Sequence, residues 1–271
     1  MKLSRRIEEA RVAFEKRDLE ASAKSHTPER IAEATHREKH GGASSQYIGE
    51  LVYGGLDGII TTFAVVSGVA GAPLGSEIVL ILGLANLFAD GFSMATGAYL
   101  SSRSEQEYYD REHQRETWET QHFPEAEKIE LYEIYRVQGY SEADARNLVE
   151  IKSKDQDLWV QAMMVDELGM LPDERNPLLN GLATLVSFVV AGSIPLLVYL
   201  VGLFASIPAE ASFPVSIALS ALALFGLGAA KVLVTQRSVL RSGSEMLLVG
   251  GLAASVAYAV GALLKGIGGS C

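Results

Sequence analysis

Cysteine is almost absent from this sequence: among 271 residues it occurs once, as Cys271. Disulfide bonds within the chain and zinc sites built from several cysteines are therefore excluded. The sequence also lacks a basic stripe, so nucleic acid is not an expected partner. The first 46 residues carry ten Lys and Arg and eight Asp and Glu, and they lack the apolar core of a signal peptide. We therefore expect the first membrane span to act as the targeting signal.

Long apolar stretches are the most prominent feature that the sequence does have. Five of them approach or exceed the roughly 20 residues that a helix needs to cross a bilayer. They run over residues 48–72, 78–100, 178–204, 215–234 and 246–264. The sequence thus predicts an all-α membrane protein with five transmembrane helices.

Lys and Arg are distributed unevenly between the connections of these spans. The connections after spans one and three, residues 71–77 and 205–214, contain neither residue type. The basic residues lie instead before span one, after span two and between spans four and five: Arg37, Lys39, Arg103, Arg111, Arg115, Lys231, Arg237 and Arg241. Because cytosolic connections carry the excess of Lys and Arg, this pattern predicts a cytosolic N-terminus and a C-terminus on the opposite side.

A polar insert separates spans two and three. From residue 104 to residue 174 it holds 19 Asp and Glu against seven Lys and Arg, which makes a cation its expected partner. Helix start and stop signals predict three helices in it, over 104–121, 124–138 and 141–168. We therefore divide the chain into a polar cytosolic tail (1–46), transmembrane helices 1 and 2 (47–102), a cytosolic acidic metal-binding domain (103–176) and transmembrane helices 3 to 5 (177–271).

Carboxylates and thioethers in the insert recur at spacings that place them on common helix faces. Oxygen ligands alone suit Mg, Ca or Mn, and thioethers shift the preference towards Fe(II). The candidate metal ligands are two pairs spaced three residues apart and a later Met-Met-x-x-Glu group: Glu116, Glu119, Glu127, Glu130, Met163, Met164 and Glu167. The alternative is a solvated acidic face beside two core methionines, and spacing alone favours that alternative.

A Glu-x-x-His motif also occurs in the insert, formed by Glu119 and His122. Di-iron helical bundles use two such motifs together with two further glutamates. The sequence has one motif of this kind, which argues against a membrane di-iron oxidase.

Two aspartates lie inside predicted spans. Asp57 follows Gly54-Gly55-Leu56 in span one, and Asp90 lies in span two with Met94 one turn later. A carboxylate inside a bilayer is costly and by default marks an ion or proton path. Glu50 is seven residues before Asp57, on the same helix face and nearer the cytosol. We take Asp57, Met94, Glu50 and Asp90 as the candidate transport path; the structural alternatives are a hydrogen-bonded Asp57 at a helix interface and a Met94 that only packs.

With these motifs the sequence resembles the vacuolar iron transporter family over residues 47–264. The likeness rests on Gly-Leu-Asp-Gly-Ile-Ile-Thr-Thr-Phe at 55–63, on Ser-Met-Ala-Thr-Gly at 93–97, and on the insert's Glu-x-x-Glu and Met-Met-x-x-Glu motifs. In that family the aspartate of span one and the methionine of span two line the path, which matches Asp57 and Met94, and the glutamates and methionines of the insert bind metal. Many members continue the second motif with Glu-Tyr, whereas Ala98 follows here.

The resemblance implies a homodimeric, five-span transporter in the lipid bilayer that exchanges Fe(II) for protons. It implies Mn(II), Co(II) and Zn(II) as further candidate substrates, no prosthetic group and no enzymatic activity. A second hypothesis is a membrane-anchored iron sensor or buffer, which needs neither Asp57 nor Met94. A chain of this length predicts the bacterial cytoplasmic membrane as its location, with a vacuolar membrane as the alternative.

Overall fold

The computed structural model describes residues 5–35, 47–173, 175–235 and 238–265. Within these ranges the chain is helical and contains no β-strand. Its helices are α1 (Arg5–Lys16), α2 (Leu19–Ser25), α3 (Pro28–Thr35), α4 (Ile48–Gly71), α5 (Ser76–His122), α6 (Pro124–Val137), α7 (Glu142–Lys152), α8 (Gln156–Ala162), α9 (Pro177–Gly192), α10 (Leu197–Val201), α11 (Ala209–Thr235) and α12 (Val239–Leu264). A π-helical turn, Met163–Glu167, follows α8, and a 3₁₀ turn, Ile194–Leu196, joins α9 to α10. Arg37, Lys39, Arg237 and Cys271 lie outside the described residues.

Five helical segments are long and apolar enough to cross a membrane, which confirms the predicted number of spans. They are Ile48–Gly71, Ser76–His122, Pro177–Val201, Glu210–Ala230 and Val239–Leu264. The helix of span four begins at Ala209 rather than at residue 215, and that of span five begins at Val239 rather than at residue 246. The helix of span two continues without a break past its apolar part, so the predicted helix over 104–121 is its extension.

The chain divides into two compact units, and the division falls within α5 and α9. The first unit comprises residues 1–95 and 182–271, and the second comprises residues 96–181. In the first unit α4 packs against both α11 and α12, which also contact each other. Its buried apolar cluster includes Phe63 and Val66 of α4, Leu87 of α5, and Phe188 and Leu196.

The third span is interrupted where proline interferes with α-helical hydrogen bonding. Pro195 has no N–H to donate and its ring crowds the preceding turn, so α9 stops at Gly192 and a 3₁₀ turn follows. The Oγ of Ser216 in α11 donates a buried hydrogen bond of 2.7 Å to the carbonyl oxygen of Pro195. The buried carbonyl oxygen of Pro195 therefore has a hydrogen-bond donor despite the break in the helix, as a site away from water requires.

Gly228 of α11 lies at a point of close backbone approach to α12. A Cβ atom at this position would stand 2.6 Å from the carbonyl oxygen of Ser242 and 2.8 Å from the Cα of Gly243. Gly226, on the same helix, has no atom within 4 Å of the corresponding position. Small residues at helix contacts let helix backbones approach in a bilayer. Tight packing of span four against α12 is therefore present at Gly228 and not at Gly226.

We expect Gly228→Ala to destabilise the protein by about 1–3 kcal/mol, because its methyl group overlaps backbone atoms that cannot rotate away. Gly226→Ala is the matched control: it adds the same methyl group to open space on the same helix and is expected to be neutral or slightly stabilising. Thermal unfolding of the detergent-solubilised variants, followed by circular dichroism, measures the difference. Equal unfolding midpoints for the two variants would contradict the contact.

The second unit folds around the apolar faces of α6, α7 and α8. Leu131, Tyr135, Val149, Trp159 and Met163 belong to its buried cluster. The Oγ of Ser141 accepts a hydrogen bond from the backbone N–H of Asp144 at 3.2 Å, as the sequence predicts for a helix start. Gly139 (φ +100°) and Gly169 (φ +64°) adopt the left-handed conformation just beyond the helical segments.

The prediction of one uninterrupted helix over residues 141–168 is wrong. α7 ends at Lys152, and α8 begins after Asp155, whose Oδ1 accepts a hydrogen bond of 3.0 Å from the backbone N–H of Leu158. This N-cap starts a new helix, and α8 then passes into the π-helical turn, in which the N–H of Leu168 donates to the carbonyl oxygen of Met163 at 3.2 Å. The predicted third helix is therefore three helical segments.

Candidate metal site and transport path

Three elements of the second unit carry the predicted metal ligands. The carboxylate cluster consists of Glu116 and Glu119 on α5, Glu127 and Glu130 on α6, and Glu167 on the π-helical turn. Glu116 is 1% exposed and Glu127 is 6% exposed, whereas Glu130 is exposed to solvent. Met163 and Met164 are fully buried at the start of the same turn. The cluster is therefore partly enclosed, with one side open to solvent.

Electrostatic interactions connect all five carboxylates into one cluster. Burial, and next the neighbouring Glu167, raises the pKa of Glu116 to about 7. Burial, followed by Glu130, raises the pKa of Glu167 to about 7. The pKa of Glu127 is raised by burial and by Glu130. Residues far apart in the sequence thus form one site that favours an added cation or protons.

Several oxygen atoms of the cluster are buried without a hydrogen-bond donor. They are both Oε atoms of Glu116 and one Oε2 atom each of Glu127 and Glu167. Buried carboxylate oxygens are costly unless a cation or hydrogen-bond donors approach them. Among the described residues, no three His, Cys, Asp or Glu side chains converge closely enough to hold a metal ion in this structure.

Arg115 is a member of this site that the sequence reasoning did not select. Its guanidinium lies 2.9 Å from Glu112 Oε2, 2.6 Å from Glu116 Oε1 and 2.6 Å from Glu119 Oε2. The contact with Glu116 is an ion pair and lacks the alignment of a hydrogen bond. The signal was present in the spacing, since Arg115 follows Glu112 by three residues and precedes Glu119 by four.

The π-helical turn sets the position of the two methionines. Met163 and Met164 are the first two residues of this turn, and both side chains are buried. The hydroxyl of Tyr135 donates a hydrogen bond of 3.1 Å to Asp166 Oδ2 within the turn. Burial raises the pKa of Tyr135, so this hydroxyl keeps its proton. The turn is thus connected by a side-chain hydrogen bond to α6.

His122 of the Glu-x-x-His motif is engaged at the end of α5. Its ring stacks on Trp118 with centroids 4.4 Å apart, and its Nδ1 lies 2.7 Å from the carbonyl oxygen of Trp118. The side chain is exposed to solvent. These contacts give His122 a local structural role at the end of α5.

The candidate transport residues lie in the first unit, on α4 and α5. Asp57 and Asp90 are both half-buried and close enough to interact electrostatically. Met94 packs against the buried apolar cluster of this unit, and Glu50 is half-buried in the first turn of α4. The Oγ1 of Thr61 donates to the backbone carbonyl oxygen of Asp57 at 2.8 Å. The structure thus brings Asp57 and Asp90 together across two helices.

We expect the metal-free second unit to become more stable as the pH falls from 8 to 6. Glu116 and Glu167 have pKa values near 7 in the folded protein, above the ordinary value of 4.5, so the folded state takes up protons that the unfolded state does not. Their ionisation at pH 8 costs the folded state on the order of 1–3 kcal/mol.

Fluorescence measures this pH effect, because both tryptophans of the chain, Trp118 and Trp159, lie in the second unit. Thermal unfolding is followed in detergent with a chelator present. The double variant Glu116→Gln, Glu167→Gln should show a much smaller pH dependence. A thermal unfolding midpoint of the unmodified protein that is lower at pH 6 than at pH 8 would contradict the expectation.

Comparison with known proteins places these features in a family. Residues 48–262 match the VIT family. A vacuolar iron transporter of Toxoplasma gondii is 40% identical, over 96% of this chain and 89% of its own length. A vacuolar iron transporter of Plasmodium falciparum is 34% identical over 97% and 98% of the two chains, and vacuolar iron transporter 1 of Arabidopsis thaliana is 33% identical over 85% and 90%.

These relatives come from apicomplexan parasites and a plant, so they give no support to the predicted bacterial membrane. Their names fit the vacuolar alternative. The match includes four of the five apolar helical segments, the insert between spans two and three, and the fifth segment as far as residue 262. The chain therefore belongs to the VIT family, and it is an integral membrane transporter and not an enzyme.

Proposed function

We propose that this transporter is a proton-coupled antiporter that moves Fe(II) out of the cytosol, with Mn(II) as a second substrate. The observation that carries the proposal is the carboxylate cluster beside two buried methionines. Carboxylates bind divalent cations, and thioethers favour softer metals such as Fe(II) over Mg²⁺ and Ca²⁺. The names of the relatives support iron. Co(II) and Zn(II) are weaker candidates with overlapping ligand preferences.

The first step of the mechanism is capture of the metal by the second unit. We place residues 103–176 in the cytosol as a metal-binding domain, supported by the distribution of Lys and Arg between the spans. Glu116, Glu119, Glu127, Glu130 and Glu167 supply oxygen ligands, and Met163 and Met164 supply sulfur. The raised pKa values of Glu116 and Glu167 mean that metal binding near pH 7 displaces protons.

The second step is passage through the membrane along Asp57, Asp90, Met94 and Glu50. Two carboxylates close together in a bilayer need a divalent cation or protons to offset their charge. Protons that enter from the far side would replace the metal and release it there, which couples the two fluxes. Glu50, in the first turn of α4, would serve as a proton-coupled carboxylate near the cytosolic mouth.

The assembly and location are further parts of the proposal. The family resemblance supports a homodimer in the lipid bilayer. The names of the relatives support a vacuolar membrane, across which export from the cytosol fills the compartment.

The test is metal uptake by proteoliposomes with an imposed pH gradient, comparing Fe(II), Mn(II) and Zn(II). We expect uptake of Fe(II) and Mn(II) that depends on an acidic liposome interior. The external medium should become more acidic when metal is added than when no metal is present. Uptake that is indifferent to the gradient would overturn proton coupling. Metal binding without any uptake would favour a metal sensor or buffer.

A further inference from the structure

Arg115 supplies a positive charge within the carboxylate cluster. Its guanidinium forms ion pairs with three glutamates of α5, at 2.6 to 2.9 Å, and it also interacts electrostatically with Glu127 and Glu167. Four of these five partners belong to the proposed metal ligands: Glu116, Glu119, Glu127 and Glu167. The side chain of Arg115 is 41% exposed, so it has room to move into solvent.

Glu116 shows that this arrangement is incomplete as a permanent ion pair. Its side chain is 1% exposed, yet both of its Oε atoms lack a hydrogen bond. Arginine–carboxylate pairs frequently form two parallel hydrogen bonds, and Glu116 receives none from Arg115. Arg115 therefore offsets the charge of Glu116 through an ion pair alone, and both Oε atoms remain without a hydrogen bond.

A divalent metal and Arg115 compete for the same oxygen atoms. Oε1 of Glu116 and Oε2 of Glu119 each lie 2.6 Å from a guanidinium nitrogen of Arg115, so a metal bound to either oxygen would stand close to that positive charge. Two like charges at such separations repel strongly in a partly buried site. Metal entry thus requires the guanidinium to withdraw.

We propose that Arg115 is a tethered counter-ion that holds the cluster in the metal-free state and is exchanged for the metal on binding. The exchange lowers the affinity for metal, so it sets the cytosolic metal concentration at which the site fills. It also allows the metal to leave, because Arg115 can return and offset the charge of the emptied site. This inference rests on the proposed function, in which the same carboxylates capture metal.

The experiment measures binding of Mn(II) to the full-length protein in detergent by electron paramagnetic resonance at pH 7.5. Arg115→Gln removes the charge and keeps a polar side chain of similar length, and we expect it to bind Mn(II) about tenfold more tightly. Arg115→Lys retains the charge and should stay close to the unmodified protein. Arg111→Gln, one turn earlier and exposed on the same helix, is the control for net charge.

A second readout is thermal unfolding followed by tryptophan fluorescence. Arg115→Gln should lower the midpoint of the metal-free protein, because the carboxylates lose their counter-ion, and added Mn(II) should raise it by more than in the unmodified protein. Weaker or unchanged Mn(II) binding in Arg115→Gln, alongside intact binding in the unmodified protein, would overturn the exchange and leave the proposed function standing. Absence of Mn(II) binding in both proteins would overturn the metal site itself.

Discussion

Replacing Asp57 with Asn is expected to reduce metal uptake by proteoliposomes to the rate of protein-free liposomes. The substitution keeps the size of the side chain and removes the charge that a divalent cation requires inside a bilayer. Asp57 is half-buried on α4 and close to Asp90, so its loss leaves one carboxylate where the path needs two. Uptake of Fe(II) or Mn(II) under a pH gradient measures the effect.

The controls separate transport from capture and from folding. Glu77→Gln removes an exposed carboxylate from the first turn of α5 and should leave uptake unchanged. Asp57→Glu restores the charge and should recover part of the activity. Mn(II) binding by full-length Asp57→Asn in detergent should persist, since the carboxylate cluster belongs to the second unit. If Asp57→Asn takes up metal at the rate of the unmodified protein, Asp57 is not part of the transport path.

The spans could be predicted from the sequence because bilayer thickness imposes one length on every crossing helix. Residues 48–72 were predicted as span one, and α4 covers Ile48–Gly71. The beginnings of spans four and five were placed too late. The helices α11 and α12 begin outside the apolar core of the bilayer, where polar residues such as Glu210 and Arg241 are tolerated. A prediction based on apolar stretches leaves such residues out of the helix.

The metal site could be predicted only in part. The Glu-x-x-Glu pairs were found because α5 and α6 are regular helices, on which residues three apart share a face. The segment around Met163 and Met164 was predicted as a continuous α-helix, and the π-helical turn changes which residues face inward. That turn depends on tertiary contacts such as the hydrogen bond from Tyr135 to Asp166, across 31 positions of sequence. The helical periodicity of the sequence therefore cannot predict the π-helical turn.

Glu116→Gln is expected to have the largest effect on metal capture. Glu116 is the most buried carboxylate of the cluster, and its oxygen atoms lack hydrogen bonds. Its replacement should weaken Mn(II) binding by the full-length protein at least about 10–100-fold, the range seen when even indirect partners of a metal are removed. Glu133→Gln, an exposed carboxylate on α6, is the matched control and should bind as the unmodified protein does.

The same substitution should also stabilise the metal-free protein at pH 8, because it removes a buried charge that lacks hydrogen bonds. Unfolding followed by tryptophan fluorescence should therefore show a higher midpoint, while Mn(II) binding falls. A residue that served only the fold would move both quantities in the same direction. Opposite movement means that the chain keeps a costly carboxylate because metal binding requires it, and a loss of both stability and binding would make Glu116 a structural residue.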